Sequence, residues 1–271
     1  YVGYGTITQS VAVTSGKTTT LNAKLKESNS VLNAVVITAG KKPQKITDVP
    51  ATVNIITARD IEEFPSFNIG ELASRQKGVD FVRSGVLGTG INIRGFNSAF
   101  NAKNLQVTDD RLSTLIATGL PMGSFSTVTK DDIARVEILL GPNGTLYGPN
   151  AHNGLISTIT KNPRNSEGTT FAVGVGNQSV LTTRFRHAQV INDKFAYKIH
   201  FERSQGEEFN YVDSVYVGTN AYKELDLDRD FDTQKYGASL FYKPTKSSEL
   251  SGYYGHSNNN NLGITLSLIH I

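Results

Sequence analysis

The sequence predicts a mixed α+β domain followed by long antiparallel strands, on three observations. Ile133 to Pro163 holds two apolar β-runs on either side of a stretch crowded with Gly, Asn and Pro. Residues 46–132 mix strand-like runs with two short helical patterns. From Gly168 onward, apolar residues return at every second position between turns, the period of a half-buried sheet. The 271 residues suffice for one or two domains with a real core. Zero cysteines remove any disulfide framework and any thiol chemistry. The net charge of +3 is small and scattered, and no basic patch interleaves with aromatics, which argues against nucleic acid as a partner. No run reaches the ~18 apolar residues of a membrane helix, so any spanning must be by strands.

Taken in order, Thr6 to Val13 and Thr18 to Leu25 alternate around Ser15-Gly16-Lys17 and predict a β-hairpin. It resembles the last strands of a carboxypeptidase-regulatory-like β-sandwich, which makes residues 1–28 the remnant of such a domain. Without earlier strands its apolar face has no opposing sheet. Tyr1 is not preceded by a charged-then-apolar leader, so a secretory signal is expected upstream. Val31 to Ala39 is β-branched between Ser28-Asn29-Ser30 and Gly40-Lys41-Lys42-Pro43 and predicts a strand.

Asp48 to Thr57 predicts the next strand, and Thr57 the N-cap of a helix over Ala58 to Glu63. A second short helix is predicted over Ile69 to Gln76, with Leu72 facing the core. Gly78 to Val82 and Ile91 to Phe96 follow as extended segments, with Gly85, Gly88 and Gly90 in the loop between them. Val136 to Leu140 and Leu155 to Thr160 are the two β-runs of the Gly-rich stretch. Between them Gly141, Gly144 and Gly148 can take positive φ, as can Gly154 at the head of the second run, while Pro142 and Pro149 bar a helix interior, so the connection reads as two turns. In the last part Phe171, Val173 and Val175 share a face. So do Phe195, Tyr197, Ile199 and Phe201, with Ala196, Lys198 and His200 opposite, and so do Tyr236, Ala238, Leu240 and Tyr242.

No pattern carries catalysis. A phosphate loop needs Gly-Lys-Ser/Thr, and Gly144 is followed by Thr145-Leu146. Asp226, Asp228, Asp230 and Asp232 have the spacing of calcium ligands, but the sixth and twelfth positions of an EF-hand fall on Phe231 and Gly237. The histidines lack i,i+4 or Cys partners, so neither metal nor cofactor is expected.

The run IARVEILLGPNGTLYGPNAHNGLISTITK resembles the plug domain of TonB-dependent outer-membrane receptors: Arg135, Glu137, Gly141, Pro142, Leu146, Tyr147, Gly148, Ala151, Gly154, Ile159, Thr160 and Lys161 fall on its motif. Arg94, Gly95 and Phe96 match the family's Ile-Arg-Gly-Phe segment. The resemblance implies a plug over residues 46–165 and the first strands of a transmembrane β-barrel over 166–265, with apolar residues toward lipid and polar ones toward the lumen. The string at 266–271 resembles translated adaptor sequence and stays outside this scheme. Val35, Val36, Ile37, Thr38 and Ala39 resemble a TonB box, a strand that TonB would pair with from the periplasm, and residues 29–45 are its linker. Implied partners are TonB, an extracellular small ligand and outer-membrane lipid. The implied activity is energy-coupled uptake of a siderophore, vitamin, glycan or peptide. A soluble β-rich adhesion or scaffold protein is the alternative, since period two alone also fits a soluble sheet. Two positions depart from the pattern. Asp110 stands where the family has Gly in a Val-Asp-Gly-Arg turn, and Leu140 stands where many relatives have an arginine that pairs, with the residue at Arg94, to barrel glutamates.

Overall fold

The structure, a computed structural model, describes residues 7–12, 15–16, 18–24, 35–65, 69–83, 85–86, 89–95, 102–115, 119–120, 122–209, 214–218, 221–224, 230–245 and 247–260. The chain divides into two units, Tyr1–Ala51 and Thr52–Ile271.

In the first unit the expected hairpin has its turn, with Gly16 at φ 76, but residues 7–12 and 18–24 form no strand. Ile7, Val11 and Leu21 remain exposed, and a lone two-stranded ribbon with nothing to bury is marginal in water. Further on, β1 (Val35–Val36) pairs antiparallel with β2 (Gln44–Lys45), Val35 opposite Lys45 and Val36 opposite Gln44. The extended run expected through Ala39 therefore stops at Val36. Gly40 N donates to Ile37 O at 3.4 Å and Lys41 sits at φ 53, so the Gly-Lys-Lys-Pro breaker folds the chain back on itself. Residues 31–34 of that predicted strand lie outside the described residues.

The second unit opens with a mixed sheet and its helices: β3 (Thr52–Thr57), α1 (Ala58–Glu63), α2 (Ile69–Ala73), β4 (Val79–Arg83), β5 (Thr89–Ile93), β6 (Asn104–Thr108), β7 (Arg111–Leu112), β8 (Ile133–Leu140), α3 (Gly144–Tyr147) and β9 (Gly154–Thr160). The sheet order is β3-β8-β9-β6-β7, with β4 and β5 paired apart from it. Thr57 caps α1 as predicted, in a reciprocal box: its Oγ1 accepts from Asp60 N at 3.3 Å and Asp60 Oδ2 accepts from Thr57 N at 2.8 Å. Ile61, Phe64 and Leu72 of the helical segment pack on Ile56, Val136, Ile138, Leu140 and Ile156 of the sheet. Each such side chain contributes about 1.5–3 kcal/mol by leaving water.

Two local expectations change. The connection after β8 is not two turns but a turn of helix, α3, and Gly144 opens it with no positive φ and open space around it. Pro142 and Pro149 flank that turn rather than interrupt it. Asp109 and Asp110, by contrast, both take positive φ (45° and 62°), so the β6–β7 hairpin closes without the missing glycine.

The rest is an antiparallel meander, here called the wall: β10 (Gly168–Val175), β11 (Leu181–Val190), β12 (Phe195–Glu207), β15 (Asp230–Thr245) and β16 (Ser248–Asn260) in the order β10-β11-β12-β15-β16. Burial alternates along β12 with period two, Ala196, Lys198, His200, Glu202 and Ser204 being buried. The long connection before β15 contains a hairpin of its own, β13 (Ser214–Gly218) with β14 (Ala221–Glu224). Residues 225–229, with Asp226 and Asp228 of the calcium-like spacing, lie outside the described residues, and Asp232 pairs with Arg203 at 2.6 Å.

Candidate functional site

The polar side of the wall faces the mixed sheet, and the chemistry of the molecule concentrates where they meet. A 3-10 turn, Lys130–Asp132, precedes β8 and lays two carboxylates against the wall. Asp132 is 1% exposed. Its Oδ1 accepts from Arg186 Nε at 2.8 Å and its Oδ2 from Lys198 Nζ at 2.7 Å, with His200 Nδ1 3.7 Å away. Beside it Asp131 Oδ2 accepts from Arg184 Nε at 2.8 Å.

Lys198 is the centre of this group. Its ammonium gives one bond to Asp132, one to Thr160 Oγ1 at 2.7 Å and one to Lys161 O at 2.8 Å, which uses all three of its donors. Thr160 is the last residue of β9, Lys161 follows it and Asp132 immediately precedes β8, and Lys161 N donates to Asp132 O at 2.7 Å, so one wall residue gathers both open ends of the β8–β9 pair. Arg186 extends the grip to Ser166, donating to its carbonyl at 2.9 Å and its hydroxyl at 2.7 Å. His200 Nε2 lies 3.1 Å from Thr127 O; a carbonyl only accepts, so that nitrogen carries the proton. Tyr253 OH meets Thr127 Oγ1, and the guanidinium of Arg111 lies 3.8 Å over the Tyr253 ring.

Lys130 works from the opposite side. Its backbone N donates to Glu202 at 3.3 Å, and Lys235 lies 3.4 Å from the same carboxylate. Its ammonium donates to Phe64 O, and burial, with Arg184 nearby, pushes its pKa below the usual lysine range. Higher on the wall Glu208 accepts from Val86 N at 2.7 and 2.9 Å. Isolated surface pairs contribute little, but removing one partner of a buried pair costs about 3–5 kcal/mol.

The predicted motif residues lie elsewhere in the sheet, and several converge. Arg94 is exposed at φ 44, and among the described residues it makes no ion pair. Its Nη1 lies 3.5 Å from where a Cβ on Gly141 would stand, and Asn153 fills the place of a Cβ on Gly95. Gly154 is needed for space rather than for φ: a Cβ there would be 2.6 Å from Leu139 O and 2.8 Å from Ile93. Glu137 is buried and pairs with Arg135 at 2.7 Å. Gly141 and Gly148 take φ 116 and 81, and Pro142 lies between Gly141 and α3. Tyr147 ends α3, its pKa pushed up to about 12 by burial and by Asp110 and Glu137. Phe96 lies outside the described residues. Leu140, in place of the family's arginine, is buried in the core. The observed sheet-to-wall contact runs mainly from acids on the sheet side, Asp131 and Asp132, to bases on the wall, Arg184, Arg186 and Lys198, with Arg164 and Glu249 paired the other way round at 3.7 Å. Sequence reasoning missed Asp132, Arg186 and Lys198; the available signal was three ionisable residues, Lys198, His200 and Glu202, in a row on the inward side of one strand.

Residues 45–155 match the TonB-dependent receptor plug domain. The matched stretch holds most of the mixed sheet, which is called the plug from here on. Over 222 residues the chain is 28% identical to the vitamin B12 transporter BtuB of Vibrio vulnificus (strain CMCP6), covering 81% of the chain and 34% of that protein. Among solved structures it is similar to the ferripyoverdine receptor of the Pseudomonas aeruginosa outer membrane (TM-score 0.64, 15% identity, 87% of this chain and 29% of that one). It is also similar to a ferric enterobactin receptor mutant from the same organism (TM-score 0.57, 19% identity, 77% and 33%). At these identities the structural likeness is one of fold: a mixed sheet followed by a run of long antiparallel strands. The chain spans about a third of the length of these relatives.

Proposed function

We propose that the chain is part of a TonB-dependent outer-membrane receptor that takes up a scarce extracellular ligand using energy delivered through TonB. The carrying observation is the docking of the plug on the wall through Asp132, Arg186 and Lys198. Arg186 and Lys198 stand on the inward side of the wall, 4% and 2% exposed, against Asp132 of the sheet side, which supports a polar strand face filled by a plug rather than an open wet sheet. The named relatives support the same reading, since they are a vitamin B12 transporter and receptors bound to enterobactin and ferripyoverdine. The ligand would be captured on the outer side of the plug and the barrel loops. Residues 1–28 are, on this reading, the end of a carboxypeptidase-regulatory-like domain. The role is transport rather than catalysis.

TonB would engage Val35 to Ala39 as an added strand, which requires the turn after Val36 to open. Outer membranes carrying the full-length protein should capture the periplasmic domain of TonB. Ile37→Pro, which removes a backbone donor and fixes φ, should abolish capture, and Ile37→Val should keep it. Equal capture by the proline variant would move the box elsewhere. Full-length protein found only in the soluble fraction would overturn the receptor itself.

A further inference from the structure

Along β10 the large residues Phe171, Val173 and Val175 point outward, and the inward positions between them hold only Ala172 and Gly174, with Gly176 next in the same alternation. On β12 the inward side is filled by Lys198, His200 and Glu202. At β10 it is left hollow, and the hollow is a cavity of about 340 Å³ against the plug. The register sets Thr182 opposite Gly174 and Arg184 opposite Ala172, and both β11 side chains line the cavity. Across from them the plug contributes Glu71 of α2, Arg83 at the end of β4, and Val86. Ligand pockets run from roughly 300 to 1,000 Å³, so this one suits a small molecule or the end of a larger one. It lies where the long connection before β15 begins: Gln178, which lines it, accepts from Glu207 N at 2.8 Å. On the receptor reading, on which this inference rests, longer connections are extracellular, so the cavity is at the outer end of the wall. An occupant would touch plug and wall at once, since Val86 N is held by both oxygens of Glu208 and its side chain packs on Val180 and Phe231.

The charges in this cavity are only partly engaged. Arg83 gives Nη2 to Glu71 Oε2 at 2.7 Å and Arg184 gives Nε to Asp131 Oδ2 at 2.8 Å, and among the described residues neither guanidinium has a further acceptor. A guanidinium carries its N–H donors in a rigid planar fork, so each arginine keeps a free edge for a guest. The Glu71–Arg83 pair is 36% and 41% exposed, and pairs so exposed are held weakly, so a guest can take over either partner at little cost. A carboxylate meets the free edge of a guanidinium with two parallel hydrogen bonds. A guest with negative charge alone would also be set against Glu71, whereas one that carries an ammonium as well satisfies it. We infer that the cavity is a binding site for a small zwitterion, an amino acid or a short peptide with free ends, its carboxylate on Arg83 and Arg184 and its ammonium on Glu71. Of the ligand classes named for the receptor, this singles out the peptide.

Trialanine titrated into the full-length protein in detergent should bind saturably by calorimetry. Its C-terminal amide and its N-acetyl form should each bind about tenfold more weakly, because each leaves a charge of the site unmatched. Inorganic phosphate, an anion without an ammonium, should not compete. Gly174→Leu fills the cavity without removing a charge, and a Cβ there meets nothing nearer than Thr182 at 4.0 Å. It should abolish binding, and Arg83→Gln should weaken it by about tenfold, while both variants keep the parent's melting temperature and its capture of TonB. No heat with trialanine, equal affinity for the capped forms, or undiminished binding by Gly174→Leu would each overturn the site. Any of these in a protein that remains in the outer membrane and captures TonB leaves the receptor reading standing. Protein found only in the soluble fraction overturns that reading, and the site's role in uptake with it.

Discussion

At Lys198 three donors are met by a carboxylate, a hydroxyl and a carbonyl, all from the plug side, on a side chain only 2% exposed. Lys198→Met leaves Asp132 with Arg186 alone and strands two plug acceptors. The plug's attachment should weaken by about 3–5 kcal/mol. In the full-length protein this should appear as faster proteolytic nicking of the plug and a lower melting temperature, and a double-mutant cycle with Asp132→Asn should show strong coupling. Unchanged protection would deny Lys198 its role. The sequence placed Lys198 correctly on the polar side of its strand, but nothing in a period-two pattern names a partner 66 residues upstream. Tyr147 makes a pH prediction. Its phenol keeps its proton up to about 12 in the folded chain but loses it near 10 once unfolded. Its contribution to stability is therefore complete below pH 10 and is lost as pH rises from 10 to 12. Melting temperatures across that window should fall more steeply for the parent than for Tyr147→Phe.

Among the elements, those with redundant local signals were legible. The capping box of α1, the apolar runs of β8 and β9 and the alternation of β12 each state their conformation within a few residues, and the structure agrees. Short connections were less so. The eye reads Gly144 between two prolines as a turn, but the backbone spends its positive φ at Gly141 and Gly148 and leaves a turn of helix between them. The two glycines should separate in experiment. Gly148→Ala should destabilise the plug by about 1–3 kcal/mol, because φ 81 with ψ −164 is a conformation nearly confined to glycine. Gly144→Ala, in open space at the start of α3, should be neutral or stabilising by up to about 1 kcal/mol. Equal melting temperatures for both variants would contradict the assignment. The β6–β7 turn is a milder case. Asp109 holds Thr160 through its backbone N and hydroxyl, both at 2.8 Å, so an acid there serves the fold even at a strained φ. That second use explains why the departure at Asp110 did not break the hairpin: the turn is tied to β9 from its first residue.

For the molecule as a whole, the fold was readable because a plug motif and a run of alternating strands point to the same architecture. The charge pattern that joins them was not, because docking polarity depends on which strand faces which carboxylate in three dimensions. The wall also sets how this 271-residue chain must behave by itself. Its five strands end in two edges, β10 and β16, whose outer backbone groups have no neighbour among the described strands. Its outward face exposes Phe171, Val173, Val175, Leu240, Leu250 and Tyr254 in one continuous band rather than scattered singly. Open edges invite strand addition from another copy, and an apolar band of that extent invites association; each alone would limit solubility, and here they coincide on one surface. The chain should aggregate in plain buffer and become monodisperse only in detergent. Replacing Val173, Leu240 and Leu250 with Lys, all outward and all within the band, should raise solubility without detergent while leaving the plug's melting temperature unchanged, since none of the three faces the plug. Sizing by light scattering with and without detergent reads both effects, and a monodisperse parent chain in plain buffer would mean that the band is covered by something other than lipid.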